Sequence, residues 1–229
     1  MRIIFVRHGH PDYKNDCLTE LGHAQAEAAA KRLEKEKIDA FFSSSCGRAA
    51  ETAEHIAKGR DMEVTLLDFM REISWRPKDG EEMYENGHPW RNVEKMVSEH
   101  QSLMSPNWAS EEPFCRSEGP INSARVGEEF DKWIAGLGYT REGDFYRVGK
   151  PKHETVLLAS HGGSSSAVLG HIFNLPMPFV YYTICPKFTA ITIVTLSDTE
   201  GELVSPRFEV MNDAEHIKGL GLENNVYKN

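Results

Sequence analysis

Short apolar runs alternate with helically spaced apolar residues over the first seventy positions of the chain. Three largely apolar runs are typical of buried strands: residues 2–7, 38–45 and 63–70. Between them, residues 18–37 and 46–58 repeat apolar side chains at helical spacing, and Thr19 suits the N-cap of the first helix. This order of strands and helices predicts a layered α/β domain with parallel strands.

The pattern changes between residues 75 and 152, where all four tryptophans of the chain lie. Helical spacing appears there only at about 89–104 and 122–137, and prolines and glycines interrupt the rest. The earlier rhythm then returns in four segments: 154–163, 164–174, 188–197 and 203–213. We therefore predict one domain over residues 1–229, with a largely helical insertion or cap at about 75–152. The last two strands are expected to be neighbours near a sheet edge.

Composition disfavours several classes of function. The chain of 229 residues has a net charge of −9, whereas nucleic-acid binding needs a basic surface. No apolar run approaches the roughly 20 residues of a membrane span, and no secretory leader is visible. Four scattered cysteines indicate reduced thiols and disfavour a zinc site: Cys17, Cys46, Cys115 and Cys185. We expect a cytoplasmic protein that binds neither nucleic acid nor membrane.

Polar residues follow several of the predicted strands. They form four groups along the chain: Arg7, His8, Gly9 and His10; serines leading to Arg48; Arg71 and Glu72; and Ser160, His161, Gly162 and Gly163. In open α/β sheets, sites form beyond the carboxyl ends of parallel strands, so we expect these groups to converge. A lone Arg-His-Gly triplet is weak evidence. The recurrence at several strand ends carries the prediction.

Guanidinium groups, imidazoles and glycines in one cluster suit a phosphoryl group. Guanidinium forks match phosphate oxygens, and glycines let the backbone N–H groups of a helix start approach an anion. A histidine among arginines has its pKa lowered, because a second positive charge nearby is unfavourable. His8 would then keep a neutral ring nitrogen that attacks phosphorus and forms a phosphohistidine.

The ordered motifs resemble those of the histidine phosphatase superfamily, which is also called phosphoglycerate mutase-like. They are VRHGH, LTELGHAQA, SSSCGRAAETA, MREI, SHGG and NDAEH, and they cover about residues 1–74 and 153–217. The resemblance implies a three-layer α/β/α sandwich with a mostly parallel sheet, without metal or organic cofactor. It also implies the phosphatase branch, and we expect a histidine acid-type phosphatase that hydrolyses a small phosphorylated metabolite.

The same resemblance implies residue roles. His8 matches the phosphoryl-accepting nucleophile, and Glu72 matches the general acid that protonates the leaving alcohol and then activates water. The implied phosphate pocket comprises Arg7, Asn15, Arg48, His161 and the Gly162 backbone. We expect His8→Ala to abolish turnover while the fold survives, because His8 is expected at a strand end and not in the core.

The rim of the implied pocket departs from the family pattern. His10 and Pro11 stand where members often have an acidic residue and a Ser or Thr, and Pro11 has no hydroxyl for phosphate. Asn15 lies one place later than the usual asparagine, which puts substrate choice in question. Candidate lining residues from the insertion, for which ordinary packing is an equal alternative, are Trp75, Arg76, Lys78, His88, Trp90 and Arg91.

Four alternatives to a phosphatase stay open. A phosphoglycerate mutase-type phosphotransferase would use the same residues, and a non-catalytic protein on this fold would only bind phosphate. The spacing of His8, His10 and Asp12 fits a zinc-dependent hydrolase. GGSSSA is close to a nucleophile elbow, and a serine esterase triad would comprise Ser165, Asp198 or Asp213, and His216.

Overall fold

A six-stranded sheet lies at the centre of the protein, which a computed structural model describes over residues 1–78, 80, 89–184 and 186–220. From one edge to the other, its strands are β11 (Arg207–Asp213), β9 (Ile191–Thr195), β1 (Arg2–Arg7), β8 (Thr155–Ser160), β4 (Ala40–Ser44) and β5 (Val64–Leu67). Strands β1, β8, β4 and β5 pair in parallel, whereas β9 runs antiparallel to β1 and β11. The predicted mostly parallel sheet is confirmed.

Helices cover both faces of this sheet and give the predicted α/β/α sandwich. They are α1 (Glu20–Arg32) and α2 (Gly47–Ala57) on one face, and α4 (Gly119–Gly136) and α5 (Gly162–Phe173) on the other. In β1, Ile4 and Val6 pack with the first pair of helices, while Ile3 and Phe5 pack with the second. Successive strand side chains point to opposite faces, so a run that is apolar throughout needs a helical layer on each face.

Capping residues set the helix boundaries. Thr19 accepts a hydrogen bond from the Gly22 N–H and starts α1, as predicted. Asn174 takes the left-handed conformation, with φ at 57°, and ends α5. Two shorter helices are α3 (Trp90–Ser98) and α6 (Met177–Thr183). No helix within the described ranges is long and apolar enough to cross a membrane.

The segment 75–152 contains strands that were not predicted. Strands β6 (Tyr139–Glu142) and β7 (Phe145–Val148) form a hairpin with a two-residue turn, and β10 (Leu203–Val204) pairs with β7. The predicted single strand over 203–213 is therefore wrong, because it is split between this small sheet and the central one. Helix α4 of the same segment packs on the central sheet rather than standing apart from it.

Candidate active site

The carboxyl ends of β1, β8 and β4 bring distant parts of the chain together. Arg7 pairs in register with Ser160. The next residues along these two strands, His8 and His161, lie side by side with their ring centroids 5.1 Å apart. Ser44, at the end of β4, places its hydroxyl oxygen 2.8 Å from His161 Nε2. The strand ends thus converge for these residues, because β8 lies between β1 and β4.

His8 is a buried imidazole with a defined tautomer. Its Nδ1–H donates to the Gly9 carbonyl at 2.7 Å, so Nε2 carries the available lone pair. Burial lowers the pKa of His8 well below 6.5, and the charges of Arg7 and Arg48 lower it further. His8 is only 1% exposed, so the expectation that it lies outside the core is wrong. Segments from elsewhere in the chain enclose the strand end.

Two arginines lie beside the imidazole pair, and each bonds to the protein through Nη1 while its Nε has no partner. Arg7 donates from Nη1 to the Pro186 carbonyl at 2.8 Å, and its guanidinium lies over the Phe188 ring, 4.4 Å from the centroid. Arg48 donates from Nη1 to the Asp16 carboxylate. In both arginines, Nε is buried and has no hydrogen-bond partner. A buried donor on a charged group is costly without an acceptor, so each guanidinium keeps one edge for an anion.

His161 contributes a third buried atom without a hydrogen-bond partner, its Nδ1. Its Nε2 meets the Ser44 hydroxyl, whose oxygen also accepts the Cys46 N–H. In the arrangement where the Ser44 hydroxyl donates to Nε2, the ring proton of His161 is on Nδ1. Burial lowers the pKa of His161 well below 6.5, and neighbouring His8 and Arg48 lower it further.

The amino end of α5 completes the cluster. A Cβ at Gly162 would lie 3.6 Å from Arg7 Cζ, so the helix start is directly beside the guanidinium. Glu72 Oε1 accepts the backbone N–H of Ser164 at 3.1 Å. Gly163 permits this approach, because a Cβ there would come within 2.4 Å of the same oxygen. Helix N–H groups and a carboxylate thus share one end of the site.

The predicted rim residues lie in a short hairpin loop. Residues Pro11–Asp12 form β2, which pairs with β3 (Cys17–Leu18). In the loop between these strands, the Asn15 side-chain amide donates to Asp12 at 2.8 Å, and Asn15 is exposed. The Asn15 side chain is therefore hydrogen-bonded within its own loop, and a contact of Asn15 with phosphate stays a prediction.

Three residues that shape the cluster were not predicted from the sequence: Asp16, Pro186 and Phe188. Asp16 is next to Asn15, which was predicted to line the phosphate pocket. A carboxylate at that position could have indicated a partner for an arginine of the pocket. Pro186 reaches Arg7 across 179 positions of sequence. No local motif marks such a contact, because only the pairing of β9 with β1 brings this segment over the strand end.

Within the described residues, neither rival catalytic set is assembled. His10 Nδ1 bonds to a threonine hydroxyl at 2.9 Å, and no group of three His, Cys, Asp or Glu side chains there suits a metal ion. Ser165 bonds to Ser160 at 2.6 Å, whereas His216 bonds to Thr189 at 3.1 Å. The serine and the histidine of the alternative esterase triad thus have separate partners.

The two tryptophans named as candidate lining residues pack against one aromatic ring. Trp75 is buried and donates from Nε1 to the Tyr181 hydroxyl at 2.9 Å. Trp90 packs edge-on against the Tyr181 ring, with centroids 4.0 Å apart. Lys78 donates to the Cys115 carbonyl. His88 lies outside the described residues. Packing therefore accounts for both tryptophans.

Comparison with known proteins identifies relatives of the chain. Residues 3–116 match the model of the histidine phosphatase superfamily, branch 1. Over 178 residues the chain is 28% identical to a protein proposed to be phosphoserine phosphatase 2 of Hydrogenobacter thermophilus, covering 73% of this chain and 76% of that protein. Over 182 residues it is 27% identical to the 2,3-bisphosphoglycerate-dependent phosphoglycerate mutase of Bartonella tribocorum, covering 73% and 79%.

A solved structure shares the fold over most of its length. It is the crystal structure of a phosphoserine phosphatase mutant from Entamoeba histolytica in complex with phosphoserine, with a TM-score of 0.63 and 21% identity, covering 94% of this chain and 98% of that chain. This chain likewise has an α/β/α sandwich, with paired imidazoles and arginines at its strand ends. The chain belongs to the histidine phosphatase superfamily and is an enzyme of that group.

Proposed function

We propose that the protein is a phosphomonoester hydrolase that works through a covalent phosphohistidine on His8. The observation that carries the proposal is a set of three buried atoms without partners in one cluster with His8: Arg7 Nε, Arg48 Nε and His161 Nδ1. Two cationic edges and an imidazole N–H suit the oxygens of one phosphoryl group. Membership of the superfamily and the phosphatase relative support the same chemistry.

In the first step, His8 Nε2 attacks phosphorus with its lone pair. A P–N bond forms, the bond between phosphorus and the ester oxygen breaks, and the leaving oxygen takes a proton from the Glu72 carboxyl group. Arg7 and Arg48 stabilise the charge on the remaining phosphoryl oxygens. The lowered pKa of His8 supports this role, because the neutral ring is the nucleophile.

In the second step, water attacks phosphorus from the side opposite His8. The Glu72 carboxylate takes a proton from this water, an O–P bond forms, and the P–N bond breaks so that its electron pair returns to Nε2. Phosphate leaves and Glu72 is protonated again. The hydrogen bond from His8 Nδ1 to the Gly9 carbonyl supports the positive ring of the intermediate.

We also propose that residues 1–229 form one domain in which part of the segment 75–152 caps the pocket. Support comes from Ser74, which lies two residues after Glu72. Its hydroxyl donates to Glu118 at 2.8 Å, and its carbonyl accepts the Asn122 side chain at 2.8 Å. The segment therefore contacts the loop that carries the general acid, where it can affect the choice of a small phosphorylated metabolite.

Two finer points belong to this proposal. An acid-type enzyme is supported by burial of His8, which lowers its pKa well below 6.5 and so favours the neutral nucleophile in mildly acidic solution. A cytoplasmic location is supported by scattered thiols, of which Cys17, Cys46 and Cys115 are free in the structure. The proposed reaction needs no cofactor and no metal ion, since residues of the chain supply nucleophile, acid and cations.

A mutase is the second candidate, because the Bartonella tribocorum relative is a phosphoglycerate mutase. Both reactions pass through a phosphohistidine and differ in the acceptor of the phosphoryl group, which is water in the hydrolase. Steady release of inorganic phosphate from 3-phosphoglycerate, without transfer between its hydroxyl groups, supports the phosphatase. Transfer between the hydroxyl groups without phosphate release contradicts it.

The test of the nucleophile is a panel of phosphomonoesters with wild type, His8→Ala and His55→Ala. We expect His8→Ala to lower kcat by at least about 10⁴-fold, since no other group replaces the nucleophile. His55 is a half-buried imidazole of α2 that bonds to His23, so its substitution serves as the matched control. Quenching working wild-type enzyme with alkali or detergent, which preserves the acid-labile P–N bond, should trap phosphate on His8. Full turnover by a folded His8→Ala protein would end the assignment.

A further inference from the structure

Asp16 makes two contacts with the first turn of α2, which carries Arg48. One carboxylate oxygen accepts the Gly47 N–H at 2.9 Å, and the other pairs with Arg48 Nη1. The residue before the helix, Cys46, provides no side-chain cap. Asp16 therefore acts as a cap supplied from a distant loop, and the same carboxylate fixes one edge of the neighbouring guanidinium.

The loop around Asp16 is built for this approach. Asp16 has a positive φ of 50°, which few residues other than glycine adopt and which aspartate tolerates. Its carbonyl lies so close to α2 that a Cβ on Gly47 would come within 2.1 Å of it. A second anchor holds the loop, since Glu51 accepts the Leu18 N–H at 2.7 Å. The position of Asp16 is thus set by backbone geometry on both sides.

The pairing decides which edge of Arg48 remains for a ligand. Nη1 is held by Asp16, whereas Nε is buried and has no partner. Arg7 shows the same arrangement with a neutral acceptor, the Pro186 carbonyl. A guanidinium that is fixed by one nitrogen loses the rotations that would turn its other edge away from the pocket. Less ordering is then needed when an anion binds.

We propose that Asp16 is a positioning residue that holds Arg48 with its Nε edge towards the phosphoryl group. This inference rests on the proposed function, because it assigns to Arg48 the binding of phosphate. Asp16 does not contact the substrate in this scheme and acts only through Arg48. The Asp16 carboxylate also partly neutralises the positive charge of Arg48. This effect is smaller than the effect of orienting the guanidinium, because the Asp16 side chain is 43% exposed and water screens its charge.

The experiment compares Asp16→Asn with Glu51→Gln. Asparagine keeps an oxygen that can cap Gly47, but it cannot offer carboxylate oxygens to both Gly47 and Arg48. Glu51→Gln alters the other anchor of the same loop without touching Arg48, so it is the matched control. We expect Asp16→Asn to lower kcat/KM for p-nitrophenyl phosphate by about 10- to 100-fold. The dissociation constant of inorganic phosphate should rise about tenfold, while Glu51→Gln changes either value less than about threefold.

A double-mutant cycle separates positioning from general loosening of the loop. If Asp16 acts through Arg48, Asp16→Asn should have no further effect on phosphate binding in an Arg48→Ala background. Melting temperatures of all variants check that the fold is retained. The inference would be overturned if Asp16→Asn weakened phosphate binding by the same factor in both backgrounds, or if Glu51→Gln weakened it equally.

The two proposals fail in different ways. Wild type that hydrolyses phosphomonoesters while Asp16→Asn matches it in turnover and phosphate affinity would overturn the positioning role alone. Wild type that binds phosphate without turnover would overturn the proposed function, and the phosphate titrations of the variants would still decide the role of Asp16. Wild type that does neither would overturn both.

Discussion

The Glu72 side chain accepts hydrogen bonds from two backbone N–H groups, those of Ile73 and Ser164. Glutamine has the same shape and can accept from the same groups, but it cannot transfer a proton. With alkyl phosphates, we expect Glu72→Gln to lower kcat by about 10²- to 10⁴-fold. With p-nitrophenyl phosphate, whose leaving group needs no proton, the first step should persist and the second should stall. Stopped-flow absorbance should then show a burst of nitrophenol of about one equivalent per site.

The control for this substitution is Glu118→Gln. Glu118 lies nearby and accepts the Ser74 hydroxyl at 2.8 Å, yet it has no place in the proposed mechanism. Its turnover should stay within about threefold of wild type, as for most exposed side chains. A Glu72→Gln protein with unchanged kcat on alkyl phosphates would show that another group is the acid.

The sequence located residues that follow a strand directly, and it failed for residues that reach the site from elsewhere. His8 and His161 could be named because each comes just after a buried strand, and Arg48 because it lies in the first turn of the helix that follows β4; all three have recognisable motif neighbours. Asp16 and Phe188 are ordinary loop residues in the sequence. Their importance arises from contacts with Arg48 and Arg7 that only the folded chain creates.

At the scale of elements, the contact between α5 and Glu72 depends on the absence of one side chain. A Cβ at Gly163 would meet Glu72 Oε1 at 2.4 Å and Ile73 Cγ1 at 2.8 Å. We expect Gly163→Ala to displace the carboxylate and to lower kcat/KM by about 10- to 100-fold. It should also lower the free energy of unfolding by about 1–3 kcal/mol, as overpacking does. Kinetics and urea unfolding measure the two effects.

Gly136→Ala is the matched control for this substitution. It lies near the end of α4, and a Cβ there would meet nothing within 4 Å. Alanine favours helix over glycine, so stability should be unchanged or slightly higher, and activity should be unchanged. Equal behaviour of the two glycine variants would mean that the close contact at Gly163 relaxes without consequence for Glu72.

Elements with a long, consistent pattern were predictable, and short ones were not. Strand β1 is apolar at every central position, and α1 has both a cap and helical spacing. Strands β6 and β7 have four residues each, and their alternation lies within a segment of mixed composition. Such short strands gain their order from pairing with each other and with β10, which is a tertiary effect.

At the scale of the molecule, stability should depend on pH because several histidines have lowered pKa values, mainly through burial: His8, His10, His55, His161 and His216. Burial disfavours their charged form in the folded protein, whereas the unfolded chain gains protons below its ordinary pKa of 6.5. Their contribution is therefore complete above that pH and is lost as pH falls below it. Each fully neutral histidine adds a slope of up to about 1.4 kcal/mol per pH unit.

Urea unfolding between pH 7.5 and pH 5 measures this dependence. Carboxylates with lowered pKa values, such as Asp39 and Asp131, keep their contribution down to about their ordinary value of 3.8 and lose it only below that pH. Histidines therefore dominate above about pH 5. His8→Asn should reduce the slope by up to about 1.4 kcal/mol per pH unit, because the unfolded variant binds one proton fewer. A free energy of unfolding that is constant over this range would contradict the burial of neutral imidazoles.

The order of strands could be anticipated only in outline. Alternating strands and helices predict a parallel sheet, but they do not say that β8 lies between β1 and β4. That position depends on pairings between residues far apart in sequence, such as Arg2 with Thr155. The resemblance to a family supplied the three-layer fold, and the structure supplied the neighbours.

The central place of β8 has a consequence for synthesis of the protein on the ribosome. Strands β1 and β4 emerge early, but the strand that joins them ends at Ser160, in the last third of the chain. Until it emerges, the early strands have exposed edges that another nascent chain could pair with. Slow translation before this strand should therefore favour aggregation. Binding of a chaperone to the unpaired edges of β1 and β4 should reduce it.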